Sequence, residues 1–350
     1  GGSYIGPSTA DGGDGFVKHR IEFWPRTDSP VLLIANRSAE PAQYGLIRLL
    51  RQTGEMTSEA VDTAVPSDAP QRTVANYLAN PRFALALGAQ QTFDAATGLS
   101  IDSWQTFLDG SRRLVQRLRL HGYNAAVVCI AAEGSSLSPL SGFGQSPRYD
   151  NGAIAASVAD PVRKDVLEAL LRIFDREGLK LLPAIELAAP TPPLEELRRA
   201  AQPSVDGVDL VNFEGRTADE IDRGRSGLPS RYSLLHPQVQ DRLRAALAQF
   251  TERYAGHPSL AGLALQIPSD GYGALPDLAW GMSDATCDRF VASTGVPLPH
   301  GGDQVFLRRA QLLGRQHRNL WRRWRADQVS RFYAEVAQSL RNTRQDLQLL

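Results

Sequence analysis

The chain has 350 residues, 42% apolar and 22% charged, proportions ordinary for a globular protein with a sizeable core. Its 38 Lys and Arg balance 38 Asp and Glu, so no global field favours nucleic acid or anionic lipid. No stretch reaches the ~18 apolar residues of a membrane span, and Cys129 and Cys287, with no CxxC or His neighbour, make no thiolate metal site.

The chain opens on "GGSYIGPSTADGGDG", without Met and without a visible signal peptide, and closes on "RQDLQLL", which reads as the entry to another strand. Both ends read as cut. The expectation is a piece of a longer protein, with the remainder of the same polypeptide as its first partner. Residues 16–55 read as strands: "FVKHRIEFWP" alternates polar and apolar residues, and "PVLLIANRS" and "YGLIRLLRQ" are short apolar runs between breakers. Residues 1–56 are thus expected to be the remnant of a β-sandwich. The Ser-, Thr-, Asp- and Pro-rich stretch that follows makes 57–80 the linker, and 81–350 the next domain.

From Arg82 the rhythm becomes strand, then helix, repeated. "RFALALGA" reads as a strand. "DSWQTFLDGSRRLVQRLRLHG" reads as a helix stopped at Gly122. "NAAVVCIAA" is a second strand. "DPVRKDVLEALLRIFDREG" is a helix with Asp160 as N-cap and Pro161 at its first position, burying Val166, Leu167, Leu170 and Phe174 and stopping at Gly178. "LKLLPAIEL" is a third strand, and "HPQVQDRLRAALAQFTERYAG" a helix with Val239, Leu243, Leu247, Phe250 and Tyr254 on one side. "LAGLALQI" is a fourth strand, and one long helix over 303–341 leads to "DLQLL". The basic run "RRAQLLGRQHRNLWRRWR" (308–325) falls in that helix and reads as a solvated face rather than a nucleic-acid patch.

Strands apolar on both faces are covered by helices on both sides of a parallel sheet. A doubly wound nucleotide fold requires a Gly-rich turn after its first strand, and "ALGAQQTFD" is not one. The expected architecture is a (β/α)8 barrel, present in part as about four and a half βα units, since long polar loops follow the strands. Half a barrel would expose two strand edges and self-associate or melt easily.

In a barrel the residues just past each strand share one bowl. These are Gln90, Gln91 and Asp94 after the first strand, Glu133 after the second, Glu186 at the third, and Gln266, Ser269 and Asp270 at the fourth. Three carboxylates among them, Glu133, Glu186 and Asp270, suit acid–base work in one bowl, because crowding and partial burial push their pKa values apart. Each has a structural alternative: Glu133 can bind loop amides, Glu186 inside an apolar strand needs an Arg or hydroxyl partner, and Asp270 follows Pro and Ser as turn residues do. Tyr149, Tyr232, Tyr272 and Trp280 lie in the loops, where they can stack on sugar rings or pack the rim. The polar segments "PRYDNG", with Tyr149 and Asp150, and "SRYSLLHP", with Arg231, can line a carbohydrate cleft; His236 reads as a helix-start residue. There is no GxSxG elbow, HExxH or P-loop, and no residue set asks for a cofactor or metal.

Residues 122–187, "GYNAAVVCIAAEGSSLSPL…RYD…DPVRKDVLEALLRIFDREGLKLLPAIEL", resemble the glycosyl-hydrolase-like proteins called family-ten-like. The fourth-strand region is similar to the retaining β-galactosidase type of clan-A barrel, whose strand reads roughly "G-W-Q-I-D-N-E-Y-G". Here "GLALQIPSDGYG" keeps Gly262, Gln266, Ile267, Gly271 and Tyr272. The downstream stretches "WGMSDATCDRFVASTGVPLP" and "LWRRWRADQVSRFYAEVAQSLR" resemble the same group.

The resemblance implies hydrolysis of O-glycosidic bonds in a polysaccharide or glycoside, and an extracytoplasmic setting. Asp270 would be the proton donor, and Glu133, Glu186, Gln266, Ser269, Tyr272, Trp280, Tyr149, Asp150 and Arg231 would hold the sugar. One departure bears on this: the family's Asn-Glu pair corresponds to Ser269-Asp270. Asp is a methylene shorter than Glu, and an ångström of misplacement can cost about a hundredfold in rate. The nucleophile would come from a seventh strand, past the fifth strand on which this chain ends. The alternative is a carbohydrate-binding or structural protein on the same barrel, without hydrolysis.

Overall fold

A computed structural model describes residues 73–79, 83–89, 92–93, 100–101, 104–132, 135–143, 165–221, 232–268 and 271–350. The β-sandwich expected over 1–56 and residues 57–72 of the linker expected over 57–80 lie outside these, while Ala75–Leu78 within that stretch is a strand. Besides the short Ser135–Ser136, antiparallel to the end of the second strand, five strands form the main sheet of the described residues: β1 (Ala75–Leu78), β2 (Ala125–Ala132), β3 (Lys180–Glu186), β4 (Gly262–Gln266) and β5 (Gln348–Leu349). They lie side by side in chain order, every neighbouring pair parallel. A doubly wound sheet reverses direction of growth at its middle; this one does not. The chain is α/β, and its sheet is the wall of a partial (β/α) barrel, four βα units and the start of a fifth.

Helices α1 (Trp104–His121), α2 (Val166–Glu177), α3 (Pro192–Ala200), α4 (Pro237–Tyr254), α5 (Asp284–Thr294), α6 (Val305–Gln311) and α7 (Arg318–Thr343) fill the crossovers. Helix α2 shows how the sequence sets its bounds. Asp165 caps it by accepting from the Glu168 amide at 3.0 Å, and Gly178 ends it in the left-handed conformation, φ 65°. Leu167, Leu170 and Phe174 line one stripe and are buried, each contributing about 1.5–3 kcal/mol. They meet Val128, Ile130, Leu181, Ile185 and Leu263 from the outer face of the sheet, in the core that also holds Val239, Phe250, Trp321 and Phe332.

The inner face differs. Cys129, Ala184 and Ala264 stand in one row across β2, β3 and β4 and form their own small cluster with Ala132. Small side chains let the sheet curl inward.

Four expectations are corrected. "RFALALGA" is not the first strand: Phe83–Ala86 is a helical turn with Ala84 and Leu87 buried at helical spacing, a pattern a short apolar run shares with an inner strand. The strand lies upstream in "ANYL", whose exposed Tyr77 hides it as an edge. The N-cap of α2 is Asp165, while Asp160 lies outside the described residues. The long helix is broken by a wider π turn at Leu312–Gln316. Finally, the basic run is not simply a solvated face, because Arg309 and Arg325 within it are fully buried, Arg325 over the Trp321 ring.

Candidate functional site at the carboxyl ends of the strands

Glu186 ends β3 and Gln266 ends β4, directly opposite one another in the parallel register. Glu186 is half-buried and carries polar contacts of its own. Gln266 reaches across the bowl: its Nε2 donates to the Ala79 carbonyl at 3.3 Å and to the Tyr77 hydroxyl. Ala79 follows β1, which is separated from β4 by two strands. In a flat sheet that distance is ~14 Å, so this contact exists only because the sheet curls. The Gln266 Oε1 is buried with no hydrogen-bond partner among the described residues.

The loop after β4 folds back onto the end of β3. Leu187 N–H donates to the Gln266 carbonyl at 2.9 Å, and Tyr272 N–H to the Leu187 carbonyl at 2.9 Å. Gly271 makes the return possible, because a Cβ there would lie 2.5 Å from the Leu187 oxygen. Its amide donates to the Pro268 carbonyl at 3.0 Å, drawing together the two residues that flank Ser269-Asp270. Tyr272 is buried, edge-on to Tyr232 with ring centroids 5.1 Å apart. Its hydroxyl has no hydrogen-bond partner among the described residues; burial first, and then the nearby Glu186 charge, push its pKa up.

Behind the tyrosines lies an ionic network. The Tyr232 hydroxyl donates to Glu195 Oε1 at 2.5 Å. One turn further along α3, Arg198 Nε donates to both oxygens of Asp209, at 2.7 and 2.9 Å, and its Nη2 to Asp219. Burial pushes the Asp209 carboxyl up, against the pull of Arg198. On the other side, α7 fixes the loop through its carbonyls: Arg325 binds Asp277 O at 3.1 Å and Pro276 O at 2.5 Å. Tyr333 and Trp321 bind Gly273 O at 2.6 Å and Leu278 O at 3.2 Å.

Of the expected site residues, Glu186, Gln266 and Tyr272 come together; Trp280 lies further along the same loop, half-buried. Glu133, Ser269, Asp270, Tyr149, Asp150 and Arg231, with Gln90, Gln91 and Asp94, lie outside the described residues. Sequence reasoning missed Glu195, Arg198, Arg325 and Tyr333. The available signal was "TPPLEELRR", where Pro192 opens a helix and Glu195 and Arg198 share a face.

No family model matches the chain, and no curated protein matches it. Solved structures that align include a β-galactosidase from the psychrophilic Marinomonas ef1, at 17% identity over 79% of this chain and 36% of that one, TM-score 0.43. A cold-adapted β-galactosidase from Rahnella sp. R3 aligns at 18% over 70% and 33%, TM-score 0.40. A catalytic mutant of Gan42B, a GH42 β-galactosidase from G. stearothermophilus, aligns at 15% over 67% and 32%, TM-score 0.38. The chain spans about a third of the length of these structures. Likeness at these scores assigns no role to any residue here; the strand order above rests on this chain alone.

Proposed function

We propose that this chain is part of a glycoside-hydrolase-like barrel that holds a carbohydrate at the carboxyl ends of its strands and hydrolyses an O-glycosidic bond, with Asp270 as proton donor. The observation that carries this reading is the pairing of Glu186 with Gln266 beside two buried polar atoms without a partner among the described residues, Gln266 Oε1 and the Tyr272 hydroxyl. Buried polar atoms rarely go unpaired, and a polyhydroxylated ligand supplies donors and acceptors to both. In the mechanism, Asp270 protonates the leaving oxygen while Glu186 and Gln266 hold ring hydroxyls. Tyr272 sits against them as a rigid wall. Retaining chemistry needs a second carboxylate about 5–5.5 Å from the acid. The family-ten type is the finest form of this assignment.

The change from the family's Asn-Glu to Ser269-Asp270 favours a second reading, a barrel that binds glycan without cleaving it. One experiment separates the two. The full-length protein and its Asp270→Asn variant are incubated with alkyl glycosides, whose poor leaving groups require protonation, and with activated aryl glycosides. Loss on the alkyl substrates with turnover kept on the aryl ones assigns the acid. Equal turnover by both proteins removes Asp270 from the mechanism, and binding without any sugar release supports the second reading.

A further inference from the structure

On the far side of the post-β4 loop, against the first turns of α7, lies a cleft of about 510 Å³, within the ~300–1,000 Å³ usual for small-molecule sites. Leu275, Pro276 and Leu278 form one wall; Arg322, Arg323 and Arg325 stand on the other. Neither Glu186, Gln266 nor Tyr272 lines it. The arginines have no carboxylate in ion-pair reach among the described residues. Arg322 and Arg323 are exposed. Arg325 is 1% exposed, stacked over Trp321 at 5.3 Å, and keeps a buried Nε with no partner among the described residues. The acidic side chain acting on it is Asp277, from beyond ion-pair distance.

Guanidinium groups massed on one wall repel each other unless an anion sits among them. The planar donor forks of Arg322 and Arg323 match phosphate oxygens two at a time, while Arg325, its terminal nitrogens held by the Asp277 and Pro276 carbonyls, adds its charge from below. The facing wall offers only apolar surface. We propose that this cleft binds a small phosphate monoester with an apolar group, its phosphate between Arg322 and Arg323 above the fixed Arg325, and its apolar part on Leu275, Pro276 and Leu278. The site is independent of the carbohydrate reading.

Phenyl phosphate is the probe, titrated into the full-length protein by calorimetry and by tryptophan fluorescence, Trp321 lying under Arg325. Saturable binding is expected, about tenfold or more tighter than inorganic phosphate and weakening as salt rises. Arg322→Ala/Arg323→Ala changes only exposed side chains, so the variant should keep the wild-type melt while its affinity falls about tenfold or more. Leu275→Ser should weaken phenyl phosphate and leave inorganic phosphate unchanged. No saturable binding, binding that survives the double substitution, or equal affinity for the two anions overturns the proposal.

Discussion

Glu186 and Gln266 face each other across the β3–β4 ladder, and Gln266 also spans the bowl to Ala79 and Tyr77 at the end of β1. One side chain thus sits beside the carboxylate and closes the curvature of the sheet. Gln266→Ala removes the span and should cost about 1 kcal/mol of stability. Denaturant unfolding measures it, and an unchanged midpoint would show that the curl holds without this contact.

Tyr272→Phe tests whether the unpartnered hydroxyl has a role. A buried hydroxyl with no partner costs about 1–3 kcal/mol, so the fold should be unharmed or slightly firmer without it. Sugar affinity should fall by about tenfold if the hydroxyl binds ligand. A variant with unaltered melt and unaltered affinity would leave Tyr272 as packing only.

Arg198→Ala leaves Asp209, 5% exposed, as a carboxylate stripped of its main partner. The expected loss is about 3 kcal/mol, read by thermal or chemical melts. Replacing both partners, Arg198→Met with Asp209→Leu, should recover most of it, since neither charge is then stranded. A double variant as weak as the single would mean that the network acts through shape rather than charge.

The opposite end of the barrel carries a pH dependence. His257 lies between two acids, Nδ1 at 2.6 Å from Asp175 and Nε2 at 2.9 Å from Glu168. Burial opposes its charge, but the two carboxylates prevail and raise its pKa; those of Glu168 and Asp175 are lowered by hydrogen bonds that outweigh burial. A raised histidine stabilises fully below its unfolded value of about 6.5 and ceases to as pH climbs through the folded one. The depressed acids contribute above their ordinary range and lose that contribution as pH falls. The cluster therefore supports the fold best in mild acid. His236, lowered chiefly by burial, runs the other way, so the readout is the difference between wild type and His257→Gln. That difference should shrink as pH rises past neutrality; a flat difference refutes the charged histidine.

The sheet was legible because its strands are nearly uniform apolar runs: "NAAVVCIAA", "LKLLPAIEL" and "LAGLALQI" each match a strand within a residue or two. The first strand was not, because an exposed edge such as "ANYL" has no inner-face signature, while "RFALALGA" has one and is helical. At the site, Glu186, Gln266 and Tyr272 could be placed from their positions past the strands. The supporting groups could not. Arg198 and Arg325 owe their roles to partners 11 and 48 positions away in sequence, and a run of arginines reads as solvent-facing until the carbonyls it binds are seen. Trp321 and Trp324, stacked at 5.4 Å, are what draw that stretch of α7 inward.

The two thiols are 0% exposed and in different places, Cys129 on the inner face of the sheet and Cys287 in α5. Burial pushes Cys287 up to about 12, so it is inert until its surroundings open. Alkylation kinetics followed at each sulfur by mass spectrometry would therefore time two separate breathing motions in an unmodified protein, one of the bowl and one of the helical layer around it. If both sulfurs react at one rate under every condition, the barrel wall and its outer helices open as a single unit.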